Sequence, residues 1–137
     1  MKLLFAILIM LIFLVMCLAS LGGELSPEFL RALHQVEASG RFGPIVGDNG
    51  QALGPFQIHR AYWQASGVAG TYEQCADYDY SVKVVTGYLT RYGSSFMRAR
   101  AYEPLARIHN GGPRGHKKKS TKKYWLKVKK YLTSEKP

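Results

Sequence analysis

The sequence is short of cysteine and short of acid. It has two cysteines in 137 residues, Cys17 and Cys75, and Cys17 falls inside an apolar run at the N-terminus. With that run removed a single thiol remains, so no internal disulfide can close. That excludes the disulfide-stapled class of small secreted domains. Stability must then come from aliphatic and aromatic burial, and Cys75 reads as a small buried hydrophobe. Nine Asp and Glu stand against nineteen Lys and Arg, a formal net charge of +10. Nine of the bases fall between Arg114 and Lys130 with no acid among them. A chain so basic should meet anionic partners, and an exported one would meet an anionic cell surface. Nucleic acid is not expected, because the aromatics of this stretch recur at helical rather than base-stacking intervals. Also missing are a nucleotide-binding glycine pattern, an internal repeat and any zinc-ligand spacing. The four histidines are scattered, so no metal and no cofactor are expected. Nothing in the sequence speaks to oligomeric state.

Lys2 precedes an uncharged run, LLFAILIMLIFLVMCL, from Leu3 to Leu18, and small residues follow at Ala19, Ser20, Gly22 and Gly23. A basic start, an apolar centre and small residues near a cleavage point describe a secretory signal peptide. The run is short for a membrane span of about 20 residues, so a retained anchor is the weaker reading. Residues 1–22 are therefore assigned as a signal peptide, with cleavage between Ala19 and Gly22, and the protein as secreted. Residues 23–137 are enough for one small domain and not two.

Ser26-Pro27-Glu28 is a helix start: an N-cap oxygen, a proline in the first turn and an acid at the positive end of the dipole. Phe29, Leu30, Leu33 and Val36 then make one buried stripe, and Gly40 stops the helix. Phe42 to Val46, Asp48-Asn49-Gly50, and Ala52 to Ile58 read as a hairpin with a tight turn. Ile58 to Ala65 reads as a short helix, and Gly67 to Tyr78 as loop. A longer helix starts at an N-cap Asp79, buries Val82, Val85, Leu89 and Tyr92, and stops at Gly93. Tyr102 to Ile108 gives one more helix, broken by Asn110-Gly111-Gly112-Pro113. Ser120 or Thr121 caps a basic helix with Tyr124, Trp125, Val128, Tyr131 and Leu132 on one side. The expected class is α+β, mostly helical, with one small hairpin beside a cleft.

Two acids occur between Glu28 and Glu73, namely Glu37 and Asp48. Glu37 lies in the last turn of the first helix, between Val36 and Ala38, where poor hydration penalises a charge. Asp48, beside Asn49 and Gly50, is hydrated and stays ionised. Glycoside hydrolysis needs such an unequal pair, one carboxyl to protonate the leaving oxygen and one to face an oxocarbenium-like carbon. The same residues also read as an ordinary helix-end Glu and an Asp-Asn-Gly turn.

At this point the chain acquires a resemblance. Residues 47–63, GDNGQALGPFQIHRAYW, look like the core motif of invertebrate-type lysozymes, the destabilase family. Residues 75–93, CADYDYSVKVVTGYLTRYG, resemble that family's long helix, and residues 106–115, ARIHNGGPRG, resemble a third block. A Tyr-Trp pair near the end, Tyr124-Trp125, completes the order, and the similarity covers roughly residues 30–132. It implies a lysozyme-like fold and hydrolysis of β-1,4 bonds in bacterial peptidoglycan. By the same resemblance Glu37 matches the general acid and Asp48 the second carboxylate. Tyr62, His109 and Asn110 match positions lining the sugar cleft, and Gln57 is expected to support the hairpin or hydrogen-bond near Asp48. This chain departs from the family's pattern at Ala38, where a serine usually follows the acid, in its missing disulfides, and at His59. There a lysine is expected, which in some members belongs to a Ser/Lys isopeptidase pair, so isopeptidase activity is not expected. Two other readings stay open: a lytic transglycosylase using Glu37 alone, and a cationic wall- or membrane-binding protein without catalysis.

Overall fold

The computed structural model describes residues 23–134; the run assigned as a signal peptide and the last three residues lie outside the described residues. Helix α1 spans Pro27–Ala38 and begins as the sequence predicts. Ser26 Oγ accepts from the Phe29 N–H at 3.2 Å, with Pro27 in the first turn. It ends through two left-handed residues, Ser39 (φ 52°) and Gly40 (φ 72°), which places Glu37 in its last turn. Phe29 and Leu33 are fully buried, while Leu30 and Val36 are only partly so. His34, which the periodicity ignores, is buried too, with Nε2 2.7 Å from the Arg41 carbonyl oxygen.

The hairpin is smaller and differently built than the sequence predicts. Three two-residue strands, β1 (Val46–Gly47), β2 (Ala52–Leu53) and β3 (Ile58–His59), form an antiparallel sheet in that order. Val46 pairs with Leu53, Gly47 with Ala52, Ala52 with His59, and Leu53 with Ile58. Residues 42–45 do not join it: Gly43 takes a left-handed φ of 94° and Pro44 has no N–H to give a ladder. The expected second strand is cut at Gly54-Pro55, where Gly54 has a φ of 81°. A side chain there would also run into the Cys75 carbonyl. The chain then turns once more and Ile58 enters β3, so α2 starts at Arg60 and runs to Ser66.

Burial overrides local signals in the helices that follow. The stretch read as loop holds a 3-10 turn at Tyr72–Ala76. Helix α3 is capped by Asp77, whose Oδ1 accepts from Tyr80 N–H at 2.8 Å, rather than by Asp79. It runs Tyr78–Arg98 straight through Gly93, which is kinked (φ −143°, ψ 28°) and does not end it. Phe96 and Met97 beyond the kink pack on the core, and that burial outweighs the stop signal. A Cβ on Gly93 would come within 3.1 Å of Leu105 and 3.3 Å of Ile108, so the glycine serves a close approach of the next helix. Helix α4 spans Tyr102–Gly111, carrying His109 and Asn110 in its final turn. Helix α5 spans Lys122–Thr133. Val128 faces the core, Tyr124, Trp125 and Leu132 pack against it, and Tyr131 departs from expectation at 38% exposed.

The core lies between α1, α3 and α4, closed by Phe56 and Ile58 from the sheet region and Val128 from α5. Cys75 is fully buried within it, and burial pushes its thiol up to about 11.

Candidate active site

Four elements meet at one cleft. Glu37 arrives at the end of α1, Asp48 on the turn between β1 and β2, and Ala52, Gln57 and His59 from the sheet region. Tyr62 comes from α2, and His109 and Asn110 from the last turn of α4. These eight residues line a cleft of about 250 Å³. All six residues singled out in the sequence (Glu37, Asp48, Gln57, Tyr62, His109 and Asn110) therefore face the same space.

The two carboxylates occupy unequal surroundings. The Glu37 side chain is 18% exposed, and the Asp48 side chain 59%. Glu37 Oε1 accepts a hydrogen bond from the Tyr124 hydroxyl at 2.6 Å, and His109 Nε2 lies 3.4 Å from the same oxygen. His109 Nδ1 is 2.9 Å from the Tyr62 hydroxyl. These contacts are satisfied together with the imidazole proton on Nε2, so that Nδ1 accepts from Tyr62. Tyr62 in turn stacks on Tyr88, with centroids 3.6 Å apart and planes at 13°. Burial first, then the neighbouring Tyr88 and Glu37, keep the Tyr62 hydroxyl well above the usual phenol range. Burial and the adjacent Glu37 do the same for Tyr124. Both phenols thus stay protonated, and Tyr124 remains a donor to Glu37 Oε1.

Asp48 is held differently. It sits in a 3-10 turn whose residues Asp48, Asn49 and Gly50 all have positive φ (49°, 54° and 89°). Its Oδ2 lies 3.1 Å from His59 Nε2, one strand away on β3. Gln57, itself at φ 48°, donates from Nε2 to the carbonyls of Ile45 (3.1 Å) and Gly54 (3.0 Å). It braces the loop that carries Asp48, one of the two roles the sequence allowed it.

Sequence reasoning missed two members of this constellation. Tyr124 was read as one of an apolar stripe, although its polar tip is the only feature separating it from a core residue. His59 was noticed only as a missing lysine. Among the described residues no three His, Cys, Asp or Glu converge as a metal site.

Known proteins resemble this chain in both sequence and fold. Residues 28–131 match the family model described as Destabilase. The chain is 42% identical over 108 residues to a lysozyme of Magallana gigas, covering 76% of this chain and 78% of that one. It is 38% identical over 109 residues to lysozyme 1 of Crassostrea virginica, covering 77% of this chain but only 59% of that protein's length. Among solved structures it matches a chain of the crystal structure of Aeromonas hydrophila PliI in complex with Meretrix lusoria lysozyme. There the TM-score is 0.69 at 34% identity, covering 83% of this chain and 94% of that chain. The chain belongs to the destabilase family of invertebrate-type lysozymes.

Proposed function

We propose that residues 23–137 form a secreted lysozyme that hydrolyses β-1,4 glycosidic bonds of bacterial peptidoglycan, with Glu37 as general acid and Asp48 as the second carboxylate. One observation carries the assignment of residues: two carboxyls from distant elements line one cleft, one sheltered and one mostly exposed. The sheltered carboxyl protonates the leaving glycosidic oxygen. The exposed one faces the positive charge that develops on the sugar ring, as nucleophile or as electrostatic stabiliser. Tyr124 and His109 orient Glu37, while Gln57, Tyr62, His109 and Asn110 form the wall on which the sugar rests. The strong positive charge adds contact with anionic cell surfaces.

The test is muropeptide release from purified peptidoglycan by residues 23–137, beside Glu37→Gln and Asp48→Asn, with product ends read by mass spectrometry. Reducing ends that vanish with either substitution are the expected result. Anhydro-sugar ends that survive Asp48→Asn would make it a lytic transglycosylase. No release by the folded wild type would leave a cationic binding protein.

A further inference from the structure

The outward face of α5 is used neither by the fold nor by the proposed chemistry. The helix turns Val128, Tyr124, Trp125 and Leu132 inward. Leu126 points away from them and is 63% exposed. On a helix the residues three and four positions away surround it, and here those are Lys122, Lys123, Lys129 and Lys130. All four are exposed, and none has an ion pair among the described residues. A face meant only to be solvated needs the lysines but gains nothing from a large exposed leucine at their centre.

We propose that this face docks on an anionic lipid bilayer. The four ammonium groups meet headgroup phosphates while their aliphatic stems lie along the surface, and Leu126 enters the boundary with the acyl chains. A soluble polyanion such as a wall polymer would satisfy the ammonium groups and leave Leu126 in water, so the leucine favours the bilayer. The geometry keeps the cleft clear: Tyr124, which reaches Glu37, and Leu126 stand about 160° apart around the helix axis at 3.6 residues per turn. This proposal draws on the lysozyme reading only for opportunity, because cutting the wall uncovers the anionic membrane beneath it.

The experiment is vesicle co-sedimentation of residues 23–137, the span with its own hydrophobic core, carrying Glu37→Gln so that no chemistry intervenes. Vesicles of phosphatidylcholine alone are compared with vesicles mixed with phosphatidylglycerol. Binding is expected only to the anionic vesicles. Leu126→Asn should weaken it about tenfold, since one buried aliphatic side chain contributes on that order. The triple variant Lys122→Gln, Lys123→Gln, Lys130→Gln should lower binding much more than the equally charged control Arg114→Gln, Lys117→Gln, Lys119→Gln. Thermal unfolding of each variant checks that it is folded. The proposal is overturned by no binding to anionic vesicles, by Leu126→Asn binding as tightly as its parent, or by equal losses from the two triple variants. Because the assay uses the inactive background, it stands or falls separately from muropeptide release by the wild type.

Discussion

The Tyr124 hydroxyl donates to Glu37 Oε1 at 2.6 Å, joining the last helix to the end of the first across 87 positions of sequence. A buried hydrogen bond of this kind contributes on the order of 1 kcal/mol, and it fixes the direction of the carboxyl it reaches. Tyr124→Phe removes that donor and little else. On the proposed chemistry kcat for wall hydrolysis should therefore fall by about tenfold, with KM little changed, as the carboxyl loses its orientation. Steady-state kinetics of wall hydrolysis by the two proteins decide it. An unchanged kcat would show that Tyr124 only fills space.

The contact between His59 and Asp48 predicts a different signature. Asp48 sits on a left-handed turn and its carboxylate is mostly exposed, so this 3.1 Å contact is what fixes its direction. As a half-exposed pair it contributes at most about 1 kcal/mol to stability. Misplacing a reacting group by about 1 Å, however, can cost roughly 10²-fold in rate. His59→Ala should lower kcat with KM and Tm nearly unchanged, and His59→Lys should recover much of the loss by supplying another donor to the Asp48 carboxylate. Steady-state kinetics and a melting curve for both variants separate positioning from folding.

The extent to which the site was legible follows from these two contacts. Glu37 and Asp48 could be found because a helix end and an Asp-Asn-Gly turn are local signals, written within a few residues. The sheet was misjudged because Gly43, Pro44, Gly54 and Pro55 interrupt a run that looks continuous by hydrophobicity alone. Gly93 looked like a helix stop because nothing local reveals that Leu105 and Ile108 must approach it. Tyr124 and His59 gain their meaning from partners on other elements, and a periodicity argument treats the first as core and the second as a substitution. The resemblance brought His109 and Asn110 to the cleft where spacing alone read a helix stop.

Alkaline pH should unfold this protein through its buried phenols. Tyr62 and Tyr124 are both raised, first by burial, with Tyr88 also acting on Tyr62 and Glu37 on both. A raised folded-state value means that their contribution is complete below the unfolded phenol value of about 10. It is lost as pH rises further, because the unfolded chain releases protons that the folded one retains. Urea midpoints should hold steady up to about pH 10 and then fall. Spectrophotometric titration should show part of the tyrosinate signal appearing only with unfolding. Tyr62→Phe should flatten the fall in part, and an unchanged slope in that variant would remove Tyr62 from the account.

Arg107 is the last determinant of the site, though it touches none of the cleft. Its Nε donates to Thr121 Oγ1, its Nη1 to Glu103 Oε1 and its Nη2 to the Lys118 carbonyl, each at 3.0 Å. The Thr121 hydroxyl also lies 2.7 Å from the Gly115 carbonyl oxygen. A Cβ on Gly115 would fall 1.9 Å from the Arg107 carbonyl oxygen, so the loop is pressed against α4 at this point. The knot fixes where α5 begins, and with it how Tyr124 reaches Glu37. Lysine keeps the charge but cannot reproduce three donors in a planar fork. Arg107→Lys should therefore cost about 2 kcal/mol from its lost charged hydrogen bonds, or on the order of 10 °C in Tm for a domain of this size. If the knot also holds Tyr124 in place, kcat, measured well below the new Tm, falls as it does in Tyr124→Phe. A stability loss with an unchanged kcat would confine Arg107 to the fold.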